Sequence, residues 1–101
     1  MEQLISYLKE ITGDVFKLLP MKEDELKGVN NHLKEYLESL TVNMNGALKT
    51  YSQLVNEKEY LYVINNLNYI YTNEVDFAHW RTIILNSVRG LSNLHGSYSG
   101  E

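Results

Sequence analysis

The 101-residue chain has no cysteine, which excludes disulfides and thiolate-held metals and suits a reducing compartment. It has one proline, and its 44% of apolar residues mark a globular rather than a disordered chain. Basic charge is scarce. With 9 Lys+Arg against 13 Asp+Glu, the net charge of −4 offers no attraction to phosphate backbones or anionic lipid. The longest apolar run, Tyr60 to Ile64, is five residues and far too short to span a bilayer. The segment MEQLISYLKE is charged within its first turns and lacks the apolar centre of a secretory signal, so a cytoplasmic location is expected. A chain this long supports one domain with a single core.

What is present is a three-four rhythm of apolar residues. Leu4, Leu8, Ile11, Val15 and Leu18 predict an amphipathic helix over 2–19, ended by Pro20. Glu23, Asp24 and Glu25 open a second helix, supported by a Glu23–Lys27 pair, with Leu26, Val29, Leu33, Tyr36, Leu37 and Leu40 on its stripe. TVNMNG, residues 41–46, has turn chemistry, although the rhythm continues in phase through Met44, Ala47, Leu48, Tyr51 and Val55. A turn near residue 43 is preferred over one 34-residue helix. A break is expected near Asn56 to Lys58, where the apolar face must rotate by about 180°, with Asn56 and Glu59 as its cap.

The following stretch, EYLYVINNLNYIYTNEVDFAHW, holds four of the eight tyrosines and the only tryptophan. A hairpin, YLYVI-NN-LNYIY, competes with a helix there. Asn-Asn is a poor hairpin turn and a lone hairpin would lack partner strands, so the helix is preferred. Tyr60, Ile64, Leu67 and Tyr71 then share one face, while Tyr62 and Tyr69 lie opposite with Asn65 and Asn66. Those two tyrosines either fill a second packing contact, the first expectation, or form an exposed recognition surface. In the last helix Asn73 or Thr72 is the expected cap, and Phe77, Trp80, Ile84, Val88, Leu91 and His95 form the stripe. Gly96 is expected to stop that helix. The predicted fold is all-α: an antiparallel up-and-down four-helix bundle over 1–95, with a break in its third region and a short mobile tail over 96–101.

No chemistry-bearing motif emerges. His32, in NNHLKEY, is out of register with the His-x-Leu-Lys-Gly pattern of histidine phosphotransfer bundles, and Glu35 stands where the lysine belongs. His79 and His95 have no carboxylate three or four residues on, so no metal site is expected; His95 reads as a satisfied boundary residue. A small helical enzyme such as a chorismate mutase needs several buried cations, whereas this chain has two arginines, Arg81 and Arg89. Neither an enzyme nor a cofactor is expected. All seven lysines precede Tyr60; beyond it the charges are Glu74, Asp76, Arg81, Arg89 and the last residue. A low-charge, Asn/Tyr-rich half suits contact with another protein.

The heptad-like runs Leu4 to Leu19 and Leu26 to Leu40, the segment NNLNYIYTN, and Ile83 to Leu94 leading into LHGSY resemble the immunity proteins of pediocin-like (class IIa) bacteriocins, of the enterocin A immunity type. The resemblance implies a cytoplasmic protein that protects its producer from a pore-forming peptide. Its implied partner is a membrane permease of the mannose phosphotransferase type carrying bound bacteriocin. Specificity in the family lies in the C-terminal half, which points to Arg81, Asn86, Arg89, Asn93 and Tyr98, with Tyr62 and Tyr69 as further contact candidates. Many relatives are basic, and this chain is acidic. The alternative function is a helical adaptor or homodimer with Tyr62 and Tyr69 as its contact, and a monomer or weak dimer is expected.

Overall fold

The computed structural model describes residues 2–29 and 32–100, and every described element is helical. Helix α1 spans Glu2–Phe16, α2 Leu18–Leu26, α3 Leu33–Thr50, α4 Lys58–Thr72 and α5 Phe77–Ser99, with a 3-10 turn over Ser52–Asn56 between α3 and α4. Helices α1 and α2 form one bent rod, so the chain folds as four rods, in a particle of 41 × 25 × 19 Å. The rod α1–α2 packs against α3 and α5, and α4 closes the square between those two. Short connections make consecutive rods antiparallel. Cross-helix bonds confirm the register: Tyr36 Oη donates to the Asp14 carbonyl, and Tyr71 Oη donates to Glu38.

The core is the set of stripes read from the sequence, including Leu4, Leu8, Ile11, Val15, Leu37, Met44, Tyr60, Leu67, Trp80, Ile84 and Leu91. The departures are local. Pro20 does not end the first helix; it lies in the first turn of α2, where a missing N–H costs nothing. Because it cannot donate to the carbonyl four residues back, Phe16, the rod bends at residues 16–17 instead. Lys17 and Met21 keep their helical bonds on either side of the bend.

The second helix is not continuous from residue 23. It ends at Leu26 in a Schellman motif: Gly28 N–H donates to Glu25 O and Val29 N–H to Asp24 O, with Gly28 at φ +74°. Leu26 and Val29, expected on the stripe, are exposed there. Lys22, not Lys27, supplies the ion pair, 3.0 Å from Glu25.

The turn expected over 41–46 is absent, and α3 runs straight through it. Gly46 costs a helix about 1 kcal/mol, and Asn43 and Asn45 cost a few tenths each. Burying Leu40 and Met44 returns about 1.5–3 kcal/mol apiece, so packing wins. The polar side chains turn to helix carbonyls: Thr41 Oγ1 donates to Leu37 O and Asn45 Nδ2 to Thr41 O. The expected break does occur, at Glu57, whose backbone is extended. Glu57 itself is the cap residue of α4 and makes no side-chain capping bond, so the Asn56–Glu59 cap is not formed.

Tyr60 is fully buried, and its hydroxyl donates to the Met44 carbonyl at 2.7 Å. The Tyr7 hydroxyl lies 3.0 Å from it and 2.9 Å from Asn43 Oδ1, with the Tyr51 ring stacked at 5.5 Å. Burial, foremost, pushes the Tyr60 phenol far above its ordinary pKa. Three contacts share two hydroxyl protons, and the count closes when the Asn43 amide turns its Nδ2 towards Tyr7.

Asp76, not Thr72 or Asn73, caps α5, accepting from His79 N–H at 2.8 Å. Asn73 instead closes α4, its backbone N–H and its Nδ2 both donating to Tyr69 O. Helix α5 runs past Gly96 to Ser99, so the expected tail is helical as far as that residue. Glu101, the last residue of that tail, lies outside the described residues.

Candidate functional site

Helices α4 and α5 lie antiparallel, and three contacts fix their register. Asn66 Nδ2 donates to Ser87 Oγ at 2.9 Å, and Ser87, fully buried, passes its own proton to Ile83 O. The Tyr69 and His79 rings meet at 6.0 Å, tilted by 54°. Glu59 Cβ lies 3.8 Å from where a Cβ on Gly90 would stand. These contacts form the seam of an outward face built from both helices.

On that face Tyr62 and Tyr69 are 49% and 45% exposed, so neither is buried from a second side, although Tyr69 keeps the ring contact to His79. They are seven residues apart and point within about 20° of each other, separated by about 10.5 Å along the axis. Asn65, Asn86, Arg89 and Asn93 are exposed around them. Among the described residues, neither tyrosine hydroxyl nor the side chains of Asn86 and Asn93 have a hydrogen-bond partner, and Arg89 pairs with no carboxylate. Five of the seven residues singled out in the sequence, Tyr62, Tyr69, Asn86, Arg89 and Asn93, therefore share one surface.

The other two do not. Arg81 is exposed about 140° around α5 from Asn86, away from that face. Tyr98 is half-buried and packed against the core, with the Glu57 carboxylate near its phenol. Burial and then Glu57 raise its pKa. Tyr98 thus packs the end of α5 onto the core. His79, for which the sequence gave no metal site and which helical phase puts on the same side of α5 as Asn86 and Asn93, joins the face through its ring contact with Tyr69.

A second feature escaped sequence reading. Where α2, the start of α3 and the α4–α5 connection converge, an open cleft of about 600 Å³ has Leu33, Leu37, Ile70 and Trp80 on its apolar side. Lys22 Nζ stands 4.8 Å over the Trp80 ring and is neutralised by Glu25, and Lys34 Nζ stands 5.4 Å over Tyr71. The Trp80 indole donates to Leu18 O at 3.3 Å. With Glu25, Glu74 and Asp76 on the same rim, the cleft gathers no excess of cations for a dianionic substrate.

His32 is 80% exposed with Nδ1 3.9 Å from Glu35, which matches a solvated histidine. The Nδ1 of His95 is buried without a partner, so the expectation of a satisfied boundary histidine fails for that atom. Among the described residues there is no group of three His, Cys, Asp or Glu that could hold a metal, and no helix is long and apolar enough to cross a membrane. No family model, curated protein or solved structure matches this chain.

Proposed function

We propose that the protein is a non-catalytic immunity protein of the pediocin-like bacteriocin type, and that it acts through the α4–α5 face. In this reading the face engages, from the cytoplasmic side, a mannose-type permease that carries bound bacteriocin. The observation behind it is the pair Tyr62 and Tyr69, half exposed, with hydroxyls that have no hydrogen-bond partner among the described residues. Exposed tyrosines supply large contact area with few rotatable bonds, and such residues dominate binding energy at protein interfaces. A permease can be held closed only if the protein binds its closed form more tightly than its open one, because equal affinity shifts no equilibrium. Amides that hydrogen-bond only in the correct arrangement suit that discrimination better than long-range charge does.

The test is survival. Sensitive cells expressing the chain are challenged with a panel of pediocin-like peptides. Growth at concentrations that kill cells carrying the empty vector, for at least one peptide, is expected. Killing indistinguishable from the control across the panel, with the protein present in folded form, refutes the proposal.

A further inference from the structure

We infer that the cleft between α2, the start of α3 and the α4–α5 connection holds an extended segment of another polypeptide, apolar on one side and basic at its ends. The site is separate from the α4–α5 face. Its wall is the connection itself, since Thr72, Asn73, Glu74, Val75 and Asp76 all line the cleft. The chain leaves α4 and enters α5 extended, with Asn73 at φ −128°, ψ 142° and Asp76 at φ −68°, ψ 166°. Asn73 N–H is spent on Tyr69 O, and Asp76 O on Trp80 N–H. Between them, the N–H and C=O of Glu74 and Val75 have no protein partner among the described residues. Consecutive unpaired backbone groups beside an apolar cleft are what an extended peptide engages when it adds itself as a strand. A helical ligand, with its backbone bonds internal, would leave them unused.

The floor is Leu33, Leu37, Ile70 and Trp80, and Leu26 stands 62% exposed at its edge. At about 600 Å³ the cleft is in the range that takes most of a small ligand's surface out of water. Along a strand every second side chain points the same way, about 6–7 Å apart, so two apolar residues flanking one other would enter together.

The rim sets the charge of the occupant. Lys22 pairs with Glu25 at 3.0 Å while standing over the Trp80 ring, so those two cancel. That leaves Lys34 against three carboxylates, Glu38, Glu74 and Asp76. Glu38 accepts from the Tyr71 hydroxyl, Asp76 caps α5, and Glu74 forms no ion pair among the described residues. The balance is negative and selects a cationic segment over an anionic one.

Trp80 is the chain's only tryptophan and part of the floor, so its fluorescence reports occupancy. The probe is a pentapeptide of alternating lysine and leucine with blocked ends, titrated into the whole chain. A saturable change in Trp80 emission is expected, with NMR amide shifts centred on Glu74 and Val75. The glutamate–leucine counterpart should bind at least about threefold more weakly. So should the lysine–leucine peptide methylated on its backbone nitrogens, which has lost its strand donors. Glu74→Lys, at an exposed position, should weaken the lysine–leucine peptide by about threefold, whereas Glu10→Lys, the same charge change at an exposed position on α1, should leave it unaltered. No change in emission up to about 1 mM peptide would overturn the inference. Equal or tighter binding of the glutamate peptide, undiminished binding of the methylated one, equal effects of the two lysine variants, or amide shifts at Tyr62 and Tyr69 in place of the connection would also overturn it.

Discussion

Replacing Tyr60 with phenylalanine removes one oxygen from the centre of the bundle and leaves the ring in place. That oxygen is fully buried, donates to Met44 O at 2.7 Å and lies 3.0 Å from the Tyr7 hydroxyl. Met44 keeps its carbonyl's helical partner inside α3, and without Tyr60 the Asn43 amide can present its Oδ1 to the Tyr7 proton at 2.9 Å, so neither is orphaned. The loss is therefore that of a buried hydrogen bond, about 1–1.5 kcal/mol, not the larger penalty of an unsatisfied group. For a domain of this size that lowers Tm by about 5–10 °C. Tyr7→Phe leaves the bond to Met44 intact and should cost about 0.5 kcal/mol. The two residues share a contact, so the double variant should cost less than the sum of the single ones. Chemical denaturation at neutral pH, with unchanged slopes, measures all three. Tyr60→Phe as stable as the parent chain, or Tyr7→Phe the costlier of the two, would refute this account of the network.

Three further outcomes follow from the same geometry. Asp76→Ala removes the bond from His79 N–H and should cost about 1 kcal/mol in a thermal melt, whereas Asn73→Ala, at the expected but unused cap position for α5, should leave the start of that helix intact by NMR. Gly28→Ala meets no atom within 4 Å, so its cost, about 1–2 kcal/mol, should come only from holding a left-handed backbone; denaturation midpoints would show it. Burial, then Asp14, raises the Tyr36 pKa to about 12, and burial raises Tyr7 and Tyr60 as well. The native state therefore keeps protons that the unfolded chain gives up near pH 10. Stability should be untouched by these groups below that pH and fall as pH climbs towards about 12, with a shallower fall in Tyr36→Phe when midpoints are followed against pH.

Where burial and local preference agree, the fold was legible in the residues. Leu4, Leu8, Ile11 and Val15 report α1 directly, and the phase slip between Tyr51 and Tyr60 located the break at Glu57. Where the two conflict, local chemistry misled. Asn43, Asn45 and Gly46 look like a turn, but Met44 and Ala47 on the opposite side bury the segment as helix. Gly28 was the informative glycine, because a left-handed backbone is needed there and not at Gly46. Pro20 acts four residues upstream of itself, at Phe16, so its position in the sequence points past the bend.

The face was half legible. Helical phase put Tyr62 and Tyr69 opposite the core stripe of α4, and Asn86 and Asn93 on the polar side of α5, but only the packing of α4 on α5 shows that the tyrosines stay exposed and brings the four together. Nothing local to residues 96–98 revealed that Tyr98 turns inward onto the core. The cleft under Lys22 and Trp80 joins three separated segments and has no local signature at all.

The most direct measurement is a protection assay with two double variants brought to equal cellular levels and matched in thermal melting. One removes the exposed aromatics, Tyr62→Ala with Tyr69→Ala; the other alters exposed apolar side chains elsewhere, Phe16→Ala with Val42→Ala. The account predicts that the first loses protection against the peptide the parent chain resists and that the second retains it. Equal protection by both, or loss only in the second, would contradict it.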